Sequence, residues 1–93
     1  MNPGALRRFS GKIVDYFVVK IISKKMMEQY ERIRQTGFVD MYDYNGVVRF
    51  AMFLKFKELA RITLTNYKIL LLNFQKLMKH YNIKQPAIKI DKK

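Results

Sequence analysis

The chain has few of the side chains on which enzyme chemistry usually depends. It contains no Cys and a single His, His80. No Ser or Thr stands beside a plausible base, and no glycine-rich segment resembles a phosphate-binding loop. Without cysteine the chain forms neither a disulfide scaffold nor a thiolate metal site, which suits a reducing cytosol. We therefore predict a protein that is not an enzyme and that uses no cofactor and no metal.

Acidic residues are also scarce, whereas basic residues are abundant. Nineteen Lys and Arg stand against seven Asp and Glu, a formal net charge of +12 on 93 residues. Such an excess is typical of proteins that bind a polyanion or an acidic protein surface. Hydrophobic residues make up 49% of the chain, enough for the core of one domain and too many for a disordered basic tail. The composition predicts a small folded binding protein.

No hydrophobic run is long enough to span a membrane. The run Ile13–Ile22 superficially imitates the core of a signal sequence, but Asp15 and Lys20 interrupt it, and no small-residue cleavage site follows. Ten residues also fall short of the roughly 20 that a membrane-spanning helix needs. We predict a cytoplasmic protein. Attachment to a membrane surface through Phe17, Val18 and Ile21 of the first helix, which Lys and Arg flank, is a weaker alternative.

Apolar residues recur at three- and four-residue steps along most of the chain, a spacing typical of amphipathic helices. We predict a first helix from an N-cap at Ser10 to Thr36, closed by Gly37. Residues 13–22 are its ambiguous part, because their β-branched and aromatic content also suits a strand. Asp43 is predicted to cap the second helix.

The strongest helical pattern lies near the end of the chain. A shorter pattern begins near Phe56, and the helix that follows either starts at an N-cap at Thr65 or continues without a break. Apolar residues then recur to Tyr81, and Ile69 and Leu72 widen the apolar arc beyond one stripe. Such a helix is either central to the core or covered by another subunit, so a homo-oligomer is one expectation.

These elements predict an all-α fold, a small single-domain bundle of three to five helices. The domain should span residues 1–81, with residues 1–25 either an integral part of it or an extension. Residues 82–93 contain Pro86 and four lysines, a composition that predicts a flexible basic tail.

The middle of the chain loosely matches a helix-turn-helix motif over residues 47–62. In that arrangement Lys57, Glu58 and Arg61 would project from the recognition helix. The turn of such a motif usually has glycine at its left-handed residue, and Lys55 occupies that place here. The alternative interpretation is two ordinary amphipathic helices with a kink between them.

Basic residues concentrate in the two flanks of the chain, residues 1–36 and 67–93, while the middle is nearly neutral. If the first and last helices pack side by side, their outer faces merge into one positive surface. Phosphate groups would contact such a surface without reading sequence, whereas Lys57 and Arg61 are candidates for base contacts. The predicted contact residues for nucleic acid or a nucleoprotein are Lys20, Lys24, Lys25, Lys57, Arg61, Lys68, Lys76 and Lys79.

Other polar and aromatic residues have structural explanations. Asp40 and Asp43 lack a third ligand for a metal, and His80 suits the exposed end of a helix, where its charge favours the dipole. Aromatic side chains among lysines can stack on unpaired bases, although at helical spacing they more often form core. The tyrosines in question are Tyr30, Tyr42, Tyr44, Tyr67 and Tyr81.

One stretch of the chain carries a motif of the form IR-x-TG-(x3)-M-x-D-(x3)-V-(x3)-A, followed by EL. The matching residues are Ile33, Arg34, Thr36, Gly37, Met41, Asp43, Val47, Ala51, Glu58 and Leu59, with Tyr67 at a later aromatic position. On these residues, positions 29–67 resemble a short domain of unknown function found in phage and prophage proteins. The family's glycine before the F-x-EL segment is Lys55 here. The resemblance implies a small accessory protein of a mobile element and assigns no catalytic or binding residue.

Charge, composition and resemblance together predict a non-enzymatic phage or prophage protein in the cytoplasm of a bacterial host. Its predicted partner is a nucleoprotein, and inhibition of an RNA-guided host defence nuclease, as by anti-CRISPR proteins, is the specific hypothesis. The alternative is a phage regulator that binds DNA or RNA directly. Neither hypothesis involves a small-molecule substrate.

Overall fold

The computed structural model describes residues 15–84, which form six α-helices and contain no strand. The predicted all-α fold is confirmed. The count exceeds the expected three to five because two of the predicted helices are each divided in two. The helices are α1 (Tyr16–Ile21), α2 (Lys24–Thr36), α3 (Tyr44–Phe53), α4 (Lys57–Ala60), α5 (Leu64–Leu72) and α6 (Phe74–His80).

The first predicted helix is broken at Ile22 and Ser23. Asp15 caps α1, and Ser23 caps α2 by accepting a hydrogen bond from the N–H of Met26 at 3.1 Å. A side-chain acceptor at Ser23 satisfies an N–H that a continuous helix would have bonded to its own carbonyls. The strand alternative is wrong for the described part of residues 13–22, which is helical from Tyr16. The N-cap predicted at Ser10 lies outside the described residues.

Glycine and aspartate end α2 and begin α3 as predicted. Gly37 adopts a left-handed conformation with a φ of 70°, and its N–H donates to the carbonyl of Arg34. Asp43 caps α3 and accepts from the N–H of Gly46 at 3.2 Å. A Cβ at Gly46 would stand 2.6 Å from the Asp43 carboxylate, so this glycine makes room for the cap.

The turn between α3 and α4 contains the left-handed residue that the helix-turn-helix pattern requires, but no recognition helix follows it. Lys55 has a φ of 64°, and the N–H of Phe56 donates to the carbonyl of Ala51 at 2.8 Å. These are the marks of a Schellman motif. Helix α4 is a single turn of four residues, too short to cross a groove of DNA. The kinked pair of helices is therefore the correct interpretation.

The strongly patterned last helix is also divided. Its N-cap is Thr63, whose hydroxyl accepts from the N–H of Asn66 at 3.1 Å, so the cap predicted at Thr65 is wrong. Asn73 separates α5 from α6, and its side-chain amide donates to the carbonyl of Ile69 at 2.8 Å. A side chain that bonds a helix carbonyl in this way competes with the main-chain ladder.

A second Schellman motif ends α6. Asn82 has a φ of 57°, and the N–H of Ile83 donates to the carbonyl of Met78 at 2.9 Å. Ile83 packs against the core. Asn82 and Ile83, predicted as the start of a flexible tail, therefore form a turn that packs against the core, whereas residues 85–93 of that predicted tail lie outside the described residues.

One hydrophobic core joins all six helices. The described part of the predicted N-terminal extension belongs to it, because Val18 is 7% exposed and Ile22 is fully buried. The burial of Val18 also removes a central side chain from the face proposed to lie on a membrane. Within the described residues, no helix has the length and apolar character needed to cross a bilayer. The buried hydrophobic residues are Val18, Ile22, Met27, Tyr30, Ile33, Val47, Ala51, Leu59, Ile62, Tyr67, Leu70, Leu77 and Met78.

Tyrosine hydroxyls connect distant segments of this core. The hydroxyl of Tyr44 donates to the carbonyl of Ile62 at 2.7 Å, and that of Tyr67 donates to the carbonyl of Met41. The hydroxyl of Tyr81 donates to the carbonyl of Ile22 at 2.7 Å. Each bond satisfies a carbonyl near a break in the helical ladder, where a main-chain donor is lacking.

Candidate polyanion-binding groove

A groove of about 630 Å³ lies between α2, the α3–α4 turn and the segment that follows α6. We call it the basic groove, because five exposed cationic side chains line it. Three separate parts of the chain supply them, so the cluster exists only in the folded state. The cations are Lys25, Arg32, Lys55, Lys57 and Lys84.

Helix geometry and the two left-handed turns position these cations. Lys25 and Arg32 lie two turns apart on α2 and share a face. Lys55 is the left-handed residue of the first Schellman motif, and Lys57 is the first residue of α4. The second Schellman motif reverses the chain after α6 and brings Lys84 to the groove.

Two of the three glutamates in the groove are already bonded within the protein. Glu31 is buried at 2% exposure, and Arg34 holds it through two hydrogen bonds of 2.7 Å. Glu58 accepts a hydrogen bond from the amide of Gln29 at 2.7 Å. That hydrogen bond lowers the pKa of Glu58, and the nearby charges of Lys25 and Arg61 lower it further. The third carboxylate is Glu28, and the five cations outnumber the three carboxylates at the groove.

Gln29 forms the structural link between the two walls of the groove. Its side-chain oxygen accepts a buried hydrogen bond from the N–H of Leu59 at 2.9 Å, while its nitrogen donates to Glu58. The N-cap residue of α4, Phe56, offers no side-chain acceptor. Gln29 therefore caps α4 from another helix, and this bond fixes the position of Lys57 relative to Lys25.

A second depression of about 420 Å³ adjoins the basic groove. Its apolar surface comes from Met52, Phe56 and Ala60, and its cations are Lys55, Lys57 and Arg61. We call it the apolar hollow. Lys55, Phe56 and Lys57 line both depressions, so the α3–α4 turn forms the ridge between them.

The structure brings together three of the eight predicted contact residues. Lys25 and Lys57 line the basic groove, Lys57 and Arg61 line the apolar hollow, and both Lys25 and Arg61 act on the pKa of Glu58. Lys79 lines a smaller depression that shares Ile83 with the basic groove.

The other four predicted contact residues lie outside these three depressions. The ammonium group of Lys20 is 5.5 Å from the ring centre of Tyr16. Helix α1 does pack against α5, as the expectation of a merged surface requires. The four predicted contact residues outside the depressions are Lys20 on α1, Lys24 on α2, Lys68 on α5 and Lys76 on α6.

Sequence reasoning missed Arg32, Lys55 and Lys84. A signal for Arg32 was present, since Lys25, Gln29 and Arg32 follow helical spacing as one polar stripe. For Lys55, the only signal in the sequence is its departure from the glycine expected at the turn of a helix-turn-helix motif. No local pattern identifies Lys84, because its position depends on the chain reversal at Asn82.

Four of the five tyrosines considered for base stacking have structural roles instead. Tyr30 and Tyr67 are buried, and the hydroxyls of Tyr44 and Tyr81 bond main-chain carbonyls. Tyr42 is 82% exposed and is the one of the five whose ring is open to solvent. The interpretation as core residues, which the helical spacing favoured over base stacking, therefore holds for the other four.

Exposed aromatic side chains gather on another surface. Phe50 stacks with Phe53 at 6.1 Å between ring centres, and Phe38 meets Phe50 edge-on at 6.2 Å. Phe38 and Phe53 are 80% and 77% exposed, and Arg49 lines the same depression. We call these four residues the aromatic patch. Leu72, predicted to widen the apolar face of the last helix, is also exposed.

The remaining polar candidates serve local structure. The carboxylate of Asp40 accepts from the N–H of Tyr42 at 2.9 Å, and Asp43 caps α3. His80 is exposed at the end of α6, with its ring edge-on to Tyr81. Among residues 15–84, no group of three or more His, Asp or Glu side chains is arranged to hold a metal ion. The basic groove can attract anions electrostatically.

No protein-family profile, curated protein or solved structure matches this chain. A function must therefore be inferred from the groove, the hollow and the patch themselves.

Proposed function

We propose that this protein is a non-enzymatic binder of a nucleic-acid-containing target, and that phosphate groups occupy the basic groove. The observation that supports this most directly is the convergence of five cations from three parts of the chain on one groove. The groove holds five cations against three glutamates, one of which is paired with Arg34, so positive charge remains to attract an external anion. Phosphate contacts of this kind supply most of the sequence-independent affinity for nucleic acids.

The aromatic patch favours a nucleoprotein as the target. Exposed Phe side chains beside an Arg have the composition of an energetic centre in protein–protein interfaces, whereas they offer little to a phosphate backbone. A partner made of protein and RNA would engage both the patch and the basic groove. The alternative, a regulator that binds DNA or RNA directly, needs the groove alone.

The biological setting that we propose rests on the sequence resemblance over residues 29–67. It is a phage or prophage protein acting in the cytoplasm of a bacterial host. In that setting the specific target is an RNA-guided defence nuclease, which the protein would inhibit by occupying its protein and guide-RNA surfaces, as anti-CRISPR proteins do.

A pair of charge-reversal variants tests the groove. The groove variant carries Lys25→Glu, Lys57→Glu and Lys84→Glu, and its matched control carries Lys20→Glu, Lys68→Glu and Lys76→Glu. Both lower the formal charge of +12 by the same six units. We expect the groove variant to lose more than about tenfold in affinity for labelled oligonucleotides, and the control much less, because only the first removes converging phosphate contacts.

Salt dependence and capture from lysate complete this test. Affinity of the unmodified protein should fall linearly with the logarithm of salt concentration through counterion release. The proposal that phosphates occupy the basic groove is contradicted if affinity does not change with salt, or if the two variants lose the same affinity. A host protein captured from bacterial lysate and retained after nuclease digestion supports the nucleoprotein target, whereas captured nucleic acid that digestion removes supports the direct regulator.

A further inference from the structure

The apolar hollow combines an exposed apolar floor with three cations. Met52 is 62% exposed, and Phe56 and Ala60 are partly exposed, so the hollow has an apolar floor open to solvent. Lys57, Ala60 and Arg61 lie one turn apart on one face of α4 and its C-cap. The small Ala60 side chain leaves space between the two cations.

Lys55 adds a third cation to the lining of the hollow. The left-handed conformation at Lys55 turns the chain between α3 and α4, and the side chain borders both the hollow and the basic groove. Because Schellman hydrogen bonds hold this turn, the backbone of Lys55 keeps its position relative to the floor.

The combination matches the chemistry of a nucleotide. A base has a flat apolar face that stacks on aromatic and thioether groups, and the attached phosphates carry negative charge. A volume of about 420 Å³ lies in the range of small-ligand sites, about 300–1,000 Å³. Asp and Glu side chains of a peptide would satisfy the cations but would themselves offer no flat apolar face to the floor. A base inside a duplex is already stacked and cannot present its face.

The arrangement of the two depressions suggests how a strand would run. The hollow and the basic groove share Lys55, Phe56 and Lys57 as their common ridge. A strand with one base in the hollow would have its next phosphates at this ridge, and its backbone would continue along Lys25 and Arg32. One unpaired nucleotide thus links the hollow to the groove.

We propose that the apolar hollow is a binding site for one unpaired base of a single-stranded nucleic acid, with the base on Met52 and Phe56 and its phosphates against Lys55, Lys57 and Arg61. This inference rests on the proposed function, because it assumes that nucleic acid occupies the adjoining groove. It makes single strands, or single-stranded parts of a nucleoprotein, the preferred substrate class over duplex.

The variant Met52→Ala tests the floor of the hollow without changing any charge. Its matched control is Leu72→Ala on α5, which truncates another exposed apolar side chain. Leu72 lines neither the basic groove, the apolar hollow nor the aromatic patch. We expect Met52→Ala to weaken binding of a short single-stranded oligonucleotide about tenfold and Leu72→Ala to leave it unchanged.

The second probe is the oligonucleotide itself. Abasic positions are introduced one at a time, which removes a base and keeps every phosphate. One abasic position should weaken binding about as much as Met52→Ala does, and the two changes combined should cost little more than either alone, since both remove the same contact. A duplex of the same sequence should bind more weakly and show no dependence on Met52.

The outcomes separate this inference from the proposed function. If oligonucleotide binding depends on salt but is unaffected by Met52→Ala and by every abasic position, the hollow is not a base-binding site. The proposed function then still stands. Duplex binding as tight as single-strand binding also overturns the inference about the hollow, as does a free mononucleotide that binds as tightly as the strand with the same dependence on Met52. If no oligonucleotide and no nucleoprotein binds, the proposed function fails as well.

Discussion

Single residues in left-handed conformations determine the shape of the candidate site. Lys55 and Asn82 have positive φ angles without being glycine, and each reverses the chain next to the basic groove. Asparagine tolerates this conformation because its short polar side chain can bond locally, whereas lysine incurs the full steric cost. Lys55 is thus a strained residue whose side chain lines both depressions, a combination often found at functional sites.

Replacement of Lys55 by Gly should stabilise the fold. The left-handed conformation costs an ordinary side chain roughly 1–2 kcal/mol, and the greater freedom of glycine in the unfolded chain offsets part of the gain. We expect the free energy of unfolding to rise by about 1 kcal/mol in urea titrations, while affinity for oligonucleotides falls because a phosphate contact is lost.

The substitution Asn82→Gly provides the comparison for this prediction. Asn82 occupies the equivalent position of the second Schellman motif. Its replacement should change the free energy of unfolding by less than the replacement of Lys55, since Asn already tolerates the conformation. Destabilisation by Lys55→Gly would mean that the lysine side chain makes contacts that outweigh the strain.

At the scale of helices, apolar spacing predicted where helical structure lies but not where it breaks. Val18, Ile22, Tyr30 and Ile33 are all buried, as their spacing predicted. The spacing continues through Ser23, whose hydroxyl caps α2 and divides the helix. A serine inside an apolar pattern is compatible with either a continuous helix or a cap, and only the packing of α1 against α5 decides between them.

The candidate site was less predictable than the helices for a physical reason. Lys57 and Arg61 are neighbours in sequence, so local spacing was enough to pair them on one face. The pairing of Lys57 with Lys25 depends on the hydrogen bonds of Gln29 to α4, across about thirty residues of chain. Sequence spacing within one element carries no information on such a contact. The sequence therefore identified basic residues as candidate contacts, but it could not predict which of them lie together in one groove.

The hydroxyl of Tyr81, the C-cap residue of α6, connects the end of α1 to the rest of the protein. The Tyr81 hydroxyl donates to the carbonyl of Ile22 at 2.7 Å and lies 3.3 Å from the carbonyl of Val19, at the end of α1. The variant Tyr81→Phe removes this donor and leaves the ring. We expect a loss of about 1 kcal/mol in the free energy of unfolding. The variant should accelerate hydrogen exchange of the α1 amides more than that of the α3 amides.

The variant Tyr44→Phe is the matched control for Tyr81→Phe. It removes an equivalent hydroxyl bond, to the carbonyl of Ile62 between α4 and α5. Its effect on exchange should therefore appear around Ile62, with α1 unaffected. Exchange of α1 that does not respond to Tyr81→Phe would show that apolar packing of Val18 and Ile22 alone holds this helix.

At the scale of the whole molecule, the basic groove and the aromatic patch are lined by different residues. The five cations of the basic groove lie around the α3–α4 turn, whereas Phe38, Phe50 and Phe53 gather along α3 and the segment before it. With a net charge of +12, the positive side chains repel one another in the folded state. A bound anion partly relieves this repulsion. Binding of a polyanion should thus stabilise the whole domain by linkage, in addition to occupying the groove.

The stability of the whole domain should also fall steeply at alkaline pH. Burial raises the pKa of the Tyr30 phenol from 10 to about 12, and burial likewise raises the pKa of Tyr67 and of Tyr81. Above pH 10 the unfolded chain releases phenolic protons that the folded protein retains, so the folded state loses stability as pH rises. Below pH 10 both states keep these protons and stability is unaffected.

Helical circular dichroism and tyrosinate absorbance, followed together from pH 9 to about pH 12, measure this effect. We expect loss of the helical signal to coincide with a step in tyrosinate absorbance, because the buried phenols ionise as the core opens. The loss from Tyr30 alone should reach roughly 2–3 kcal/mol by about pH 12. The variant Tyr67→Phe should start less stable and decline less steeply, since one phenol with a raised pKa is absent. Complete ionisation of the tyrosines with the helical signal intact would show that these phenols reach solvent without unfolding, and that the core around Tyr30 and Tyr67 does not open as one unit.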